Sequence, residues 1–148
     1  AKMQKAATFN QGFKTVEYLA SALIDMKLHM AGGDPIDADA FERDTLSALG
    51  MPNEIVMRHR TPHFGHIFSG GYSAGYYSYL WSDTLTADAA EAFEDAGSFY
   101  DLKVAKSLHD NIMSVGDTID PAEGFRAFRG RDVSVDALMR KRGFPVLE

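Results

Sequence analysis

Apolar residues recur along the first thirty positions at helical spacing. Phe9, Phe13, Val16, Ala20, Leu23 and Met30 fall on one stripe, which predicts a long helix over about 9–31. Thr8 followed by Gln11 reads as a capping box at its start. The stretch AGGDP, residues 31–35, ends it with glycine and proline. Asp37 or Asp39 then caps a shorter helix through Phe41, Leu46 and Leu49, stopped by Gly50-Met51-Pro52. Residues 53–58 read as a brief helical turn or an extended link.

From 59 to 71 the pattern breaks. Pro62 drives Thr61 out of the α region, and Gly65, Gly70 and Gly71 weaken any turn that forms there. A helix resumes from about Tyr72 to Leu85, and Thr86 caps another through Phe93 that ends near Gly97. A further helix covers about 99–115, through Leu102, Ala105, Leu108, Ile112 and Val115. Pro121 opens a short one through Phe125 and Phe128. The last, Val135 to Arg142, carries Lys and Arg in its final turn, as the helix dipole favours, with Gly143 beyond it. No stretch alternates apolar and polar residues long enough to predict a strand. The expectation is an all-α fold, with residues 1–148 as a single helical unit.

Composition narrows the function classes. A length of 148 residues suits one domain. The formal net charge of −6 argues against nucleic acid or an anionic membrane as partner, because phosphate binding wants a basic face. The chain has no cysteine, so neither a disulfide nor a thiolate metal site can form. No apolar run approaches the roughly 20 residues that span a bilayer. The opening AKMQKAATFNQGF lacks the apolar segment of a signal peptide.

Candidate chemistry gathers at 63–79, HFGHIFSGGYSAGYYSY. If a helix starts at Tyr72, a step of about 100° per residue puts Tyr72, Tyr76 and Tyr79 on one face, with Gly75 leaving a groove beside them. Tyr77 and Trp81 then point elsewhere. A phenol stays protonated at neutral pH and can donate to an oxygen on which negative charge develops, without carrying a charge of its own. The same spacing also describes an aromatic packing ridge, the commoner meaning of such a stripe.

The histidines raise a metal question. His63-x-x-His66 and the His59/His63 pair resemble ligand spacings. Pro62 breaks the helix that would align His59 with His63, and no acidic residue lies between 55 and 82. A neutral His66 donating one ring N–H to a carbonyl is the simpler chemistry. GGYSAG at 70–75 lacks the preceding strand of a dinucleotide-binding turn. Its glycines instead let backbone approach a ligand and let the loop rearrange.

HFGHIFSGGYSAGYYSYLWSDTL resembles the C-terminal active-site segment of the zinc metallopeptidase family that includes thimet oligopeptidase, neurolysin and bacterial oligopeptidase A. Within that family, HIFSGGY is most similar to the peptidyl-dipeptidase (Dcp) branch. FNQGFKTVEYLASALIDMKLH resembles the family's preceding long helix, and SVGDTIDPAEGFRAFRGRDVSVDALMRKRGF its closing segment with the FRGR box. The family's HExxH zinc helix is absent, so the chain reads as the last portion of a longer enzyme, inactive by itself. The resemblance implies Zn2+ held by residues outside this chain, an oligopeptide substrate cut to release C-terminal dipeptides, and the enzyme's N-terminal remainder as partner. It also implies a cytoplasmic setting. By the same resemblance, His66 contacts the substrate carbonyl, and Tyr72 and Tyr79 stabilise the tetrahedral intermediate, Tyr79 above all. Tyr76 then faces the cleft, Gly70 and Gly71 form the adjustable loop, and His63 and Arg60 shape the rim. The alternative is an independent helical interaction module with a tyrosine-rich binding ridge.

Overall fold

The computed structural model describes residues 2–146, which are helical with irregular connections and contain no strand. The order is α1 (Lys2–Ala7), α2 (Gln11–His29), α3 (Ala38–Ala48), α4 (Ser78–Asp95), α5 (Leu102–Leu108), α6 (Pro121–Arg129) and α7 (Asp136–Arg142). Two 3₁₀ turns, Thr61–His63 and Gly65–Phe68, lie between α3 and α4, and a π-turn, His109–Met113, continues α5. Packing separates a first unit ending at Tyr79 from a second beginning at Leu80.

In the first unit the core joins Ala20 and Ile24 of α2, Leu46 of α3, and Met57, Phe64 and Ile67 of the irregular segment. Leu28, Phe41, Met51 and Tyr76 pack around it. The 3₁₀ turns explain how a stretch full of helix breakers enters a core. Such a turn repeats every three residues, and Thr61, Phe64 and Ile67 are all buried. The same period turns His63 and His66 to the surface. Thr61 is fastened to α3, since Glu42 accepts its backbone N–H at 2.8 Å and its hydroxyl at 2.9 Å.

Two expectations for this unit change. The α2 start is not a capping box: Asn10 is the N-cap, at φ 54° without a side-chain bond, while the Thr8 hydroxyl donates back to Lys5 O. The Thr8 hydroxyl thus serves the end of α1 rather than the start of α2. Of the predicted stripe, only Ala20 is buried. The inward face is Ala20, Ser21, Ile24 and Asp25, whereas Phe13, Val16, Leu23 and Met30 are exposed.

In the second unit, Leu80 and Ala87 of α4 pack with Ala137 and Leu138 of α7. Thr86 caps nothing. Thr84, Ala87, Asp88 and Ala92 are buried at i, i+3, i+4 and i+8, one stripe that runs through both predicted pieces and makes them a single helix. Asp120 and Asp101 cap α6 and α5 as acceptors of first-turn N–H groups. Gly124 is required by close packing: a Cβ there would lie 2.6 Å from Asn111 O.

Asp88 organises the rest of this unit. It is fully buried and accepts from Arg129 Nε at 2.8 Å, from both terminal nitrogens of Arg131 at 2.7 Å, and from Ser134 N at 2.8 Å. Burial raises the Asp88 carboxyl, but Arg131, the Ser134 amide and Arg129 outweigh it and hold the group below its ordinary value. The FRGR box is thus a turn, with Gly130 at φ 76°, that delivers two guanidinium groups to one carboxylate. On α7, Arg140 takes Glu91 with both bonds, at 2.6 and 2.8 Å, and Arg142 reaches Asp83 at 2.9 Å.

Candidate functional site

The sequence pattern places Tyr72 and Tyr76 on a helix with Tyr79, but α4 begins only at Ser78. Residues 69–77 form successive turns instead, with Gly70 at φ 66°, Gly71 at 78° and Ala74 at 55°. Bonds from Tyr72 N to Ser69 O, Gly75 N to Tyr72 O and Ser78 N to Gly75 O close these turns at 3.0–3.3 Å. A Cβ on Gly70 would sit 3.3 Å from the Tyr72 ring, so the glycine lets that ring fold back over the loop.

The three tyrosines nevertheless converge, on His66. Ring centroids of Tyr72, Tyr76 and Tyr79 lie 5.0, 5.5 and 5.9 Å from the imidazole. Tyr79 and Tyr76 meet edge to face at 5.6 Å. Tyr76 has the structural part: it stacks on Tyr18 at 5.4 Å and presents an edge to Phe64 at 5.0 Å. Desolvation raises the Tyr76 hydroxyl above its ordinary value; Arg58 opposes this, while Tyr79 and Glu17 add to it. Tyr72 and Tyr79 are about half exposed, at 52% and 48%. The Tyr79 hydroxyl stands 3.5 Å from His66 Nε2, at the outer edge of hydrogen-bond range, so neither group is committed to the other.

What fixes this loop is a residue that the sequence pattern passed over. Asp25 of α2 is 0% exposed, and its Oδ1 and Oδ2 accept the backbone N–H groups of Ala74 and Tyr76, each at 2.9 Å. His29 Nδ1 bonds the Asp25 backbone carbonyl at 2.9 Å and lies 2.8 Å from Oδ1. Ser73 Oγ donates to Ile67 O at 3.0 Å, and Tyr18 Oη to Tyr76 O. A non-glycine residue at positive φ costs roughly 1–2 kcal/mol, whereas each hydrogen bond to a charged acceptor contributes about 1.5–3 kcal/mol. The two carboxylate bonds therefore outweigh the strain at Ala74. An acid set among the apolar residues of this helix is the signal that could have found it.

The remaining predicted residues fall nearby in different states. Arg60 is engaged with Asp39 at 2.8 Å and Glu42 at 2.5 Å. His63 is exposed, and His59 stacks on Phe64 at 5.1 Å. Gly71 has open space where a Cβ would stand. Tyr77 and Trp81 are both exposed. Among the described residues no three His, Asp or Glu side chains gather in a way that could hold a metal ion, so the residues present do not fit a zinc centre. What the cluster offers is an exposed imidazole flanked by two half-exposed phenol rings at 5.0 and 5.9 Å.

Comparison with known proteins gives this geometry a context. The Peptidase family M3 model matches residues 1–144. Oligopeptidase A of Haemophilus influenzae is 37% identical over 148 residues, covering 96% of this chain and 21% of its own length. Oligopeptidase A of Escherichia coli is 39% identical over 146 residues, and a dipeptidyl carboxypeptidase of Salmonella typhimurium 34% over 146, each with the same coverage. The chain spans about a fifth of the length of these curated relatives.

Proposed function

The chain belongs to peptidase family M3, and from that premise we propose that it is the C-terminal part of the catalytic domain of a metal-dependent oligopeptidase. In this reading the substrate is an oligopeptide, the zinc ligands lie in the N-terminal remainder, and this segment alone is inactive. The release of dipeptides from the substrate C-terminus, and a cytoplasmic setting, belong to the same proposal. A dipeptidyl carboxypeptidase among the relatives supports the first of these.

The observation that carries the reading is the convergence of Tyr72 and Tyr79 on His66 with their rings half exposed. A peptide carbonyl laid against them can accept from a Tyr hydroxyl and from the His66 ring N–H. As the carbonyl carbon becomes tetrahedral its oxygen gains charge, and neutral donors already in place stabilise it without reorganising. Tyr79 is the oxyanion donor in this scheme, with Tyr72 and His66 holding the carbonyl. Tyr76 supports the rings from below and borders the cleft. Gly70 and Gly71 let the backbone adapt to different peptides, and His63 with Arg60 borders the rim.

An independent interaction module would keep no apolar face bare, yet α2 exposes Phe13, Val16 and Leu23, with Met30 exposed at its C-cap. That favours a segment of a larger enzyme. The test is Tyr79→Phe in the complete enzyme, assayed on an oligopeptide with product analysis. Losing one oxyanion donor should lower kcat roughly 100- to 1,000-fold, about 2.7–4 kcal/mol, with KM little changed. An unchanged kcat would overturn the assignment, and internal fragments without C-terminal dipeptides would overturn the dipeptide-releasing part.

A further inference from the structure

We propose that Asp25 is the positioning residue of the aromatic cluster: through the Ala74 and Tyr76 amides, its carboxylate sets where Tyr72, Tyr76 and Tyr79 stand relative to His66. The claim rests on the peptidase reading above and adds to it a group remote in sequence from the cluster.

Residues 69–77 have no helical ladder of their own, and three of them hold positive φ. Such a chain keeps one shape only when something outside it does the holding. The Asp25 carboxylate bonds on both sides of Gly75, Oδ1 to Ala74 N and Oδ2 to Tyr76 N. The fixed span between its two oxygens thereby fixes the spacing of those amides. Among the loop's other ties, those from Ser73 and Tyr18 each involve a single carbonyl. Ala74, at φ 55°, relaxes once released, and the Tyr76 ring moves with its backbone. Tyr79 follows, because its ring packs edge to face on Tyr76. His29, one turn along α2, bonds the Asp25 carbonyl and stands 2.8 Å from Oδ1, crowding the carboxylate on that side. Full burial keeps water from replacing any of these partners.

Asp25→Asn is the variant to make, since it keeps volume while turning one acceptor into a donor that confronts a backbone N–H. In the 148-residue chain, amide hydrogen exchange at Ala74 and Tyr76 should accelerate at least tenfold, with Ile24 and Leu46 unchanged. Retained protection at 74 and 76, or equal loss at Ile24 and Leu46, would overturn the proposal. In the complete enzyme, kcat on an oligopeptide should fall 10- to 100-fold with KM within threefold. Added to Tyr79→Phe, the substitution should cost less than threefold more, because both changes act on one donor. Full kcat with loosened amides sinks the positioning role and leaves the peptidase reading intact. Full kcat in Tyr79→Phe sinks that reading and this proposal together. Should Asp25→Asn fail to fold, Asp25→Glu takes its place: the amides stay protected but shift, kcat falls at least fivefold, and wild-type kcat would overturn the claim.

Discussion

Asp88→Asn tests the second unit where its polar groups are most concentrated. The carboxylate accepts from Arg129, twice from Arg131, and from the Ser134 amide. An asparagine has one acceptor oxygen and turns an NH2 group toward the remaining donors. Arg131 is 42% exposed, so water takes over much of its loss, but Arg129 is only 11% exposed and is left nearly buried without its main partner. Breaking a buried pair on one side costs about 3–5 kcal/mol, and solvation of Arg131 puts the expectation near 3 kcal/mol. Against a typical total of about 5–15 kcal/mol, that is a large share. The assay is urea unfolding followed by Trp81 fluorescence, Trp81 being the chain's one tryptophan and lying on α4. With a slope of about 2 kcal/mol/M, the midpoint should drop by about 1.5 M. A second arm uses pH. The folded Asp88 carboxyl lies below its ordinary value, so its contribution is complete above the unfolded value of about 3.9 and disappears as pH falls through the folded one. Wild type should lose stability over that acidic range, and Asp88→Asn should lose less. A midpoint shift under about 0.5 M, or identical acid profiles, would refute the reasoning.

Two glycines of opposite environment make a matched pair. Gly124→Ala should destabilise by about 1–3 kcal/mol, because its Cβ meets Asn111 O at 2.6 Å, whereas Gly12→Ala, with open space around it on α2, should stabilise by up to about 1 kcal/mol in the same urea titration. For Tyr76, whose hydroxyl is raised first by desolvation, absorbance titration should show a phenol ionising above the ordinary phenol value. The sign follows: the folded state keeps its proton longer, so stability falls as pH rises above the unfolded value. In Tyr76→Phe that part of the alkaline loss should vanish.

Helix ends written in local chemistry were legible. Asp37 before α3, Pro121 opening α6 and Gly143 after α7 stand where the sequence puts them, because each acts within one turn of itself. Ends set by distant partners were not. The α4 start lies at Ser78 rather than Tyr72, and Asp25, some fifty positions earlier, holds the turns before it by taking the Ala74 and Tyr76 amides. Thr86 reads as a cap in isolation and is overruled by a burial stripe spanning both sides of it. At the candidate site, the identities His66, Tyr72 and Tyr79 came from the sequence, but the reason they meet did not. Helical phase predicted a shared face, whereas the structure achieves it with a clamped run of turns.

The three-residue rhythm that buries Thr61, Phe64 and Ile67 has a consequence for what this segment tolerates. Its length is under tighter constraint than its composition. One residue inserted between Thr61 and Phe64 would rotate everything after it by about 120°, sending an aromatic anchor into solvent and an imidazole into hydrocarbon. Only additions or deletions in threes would preserve the phase, so a segment that looks like a permissive loop is among the least free to change in length.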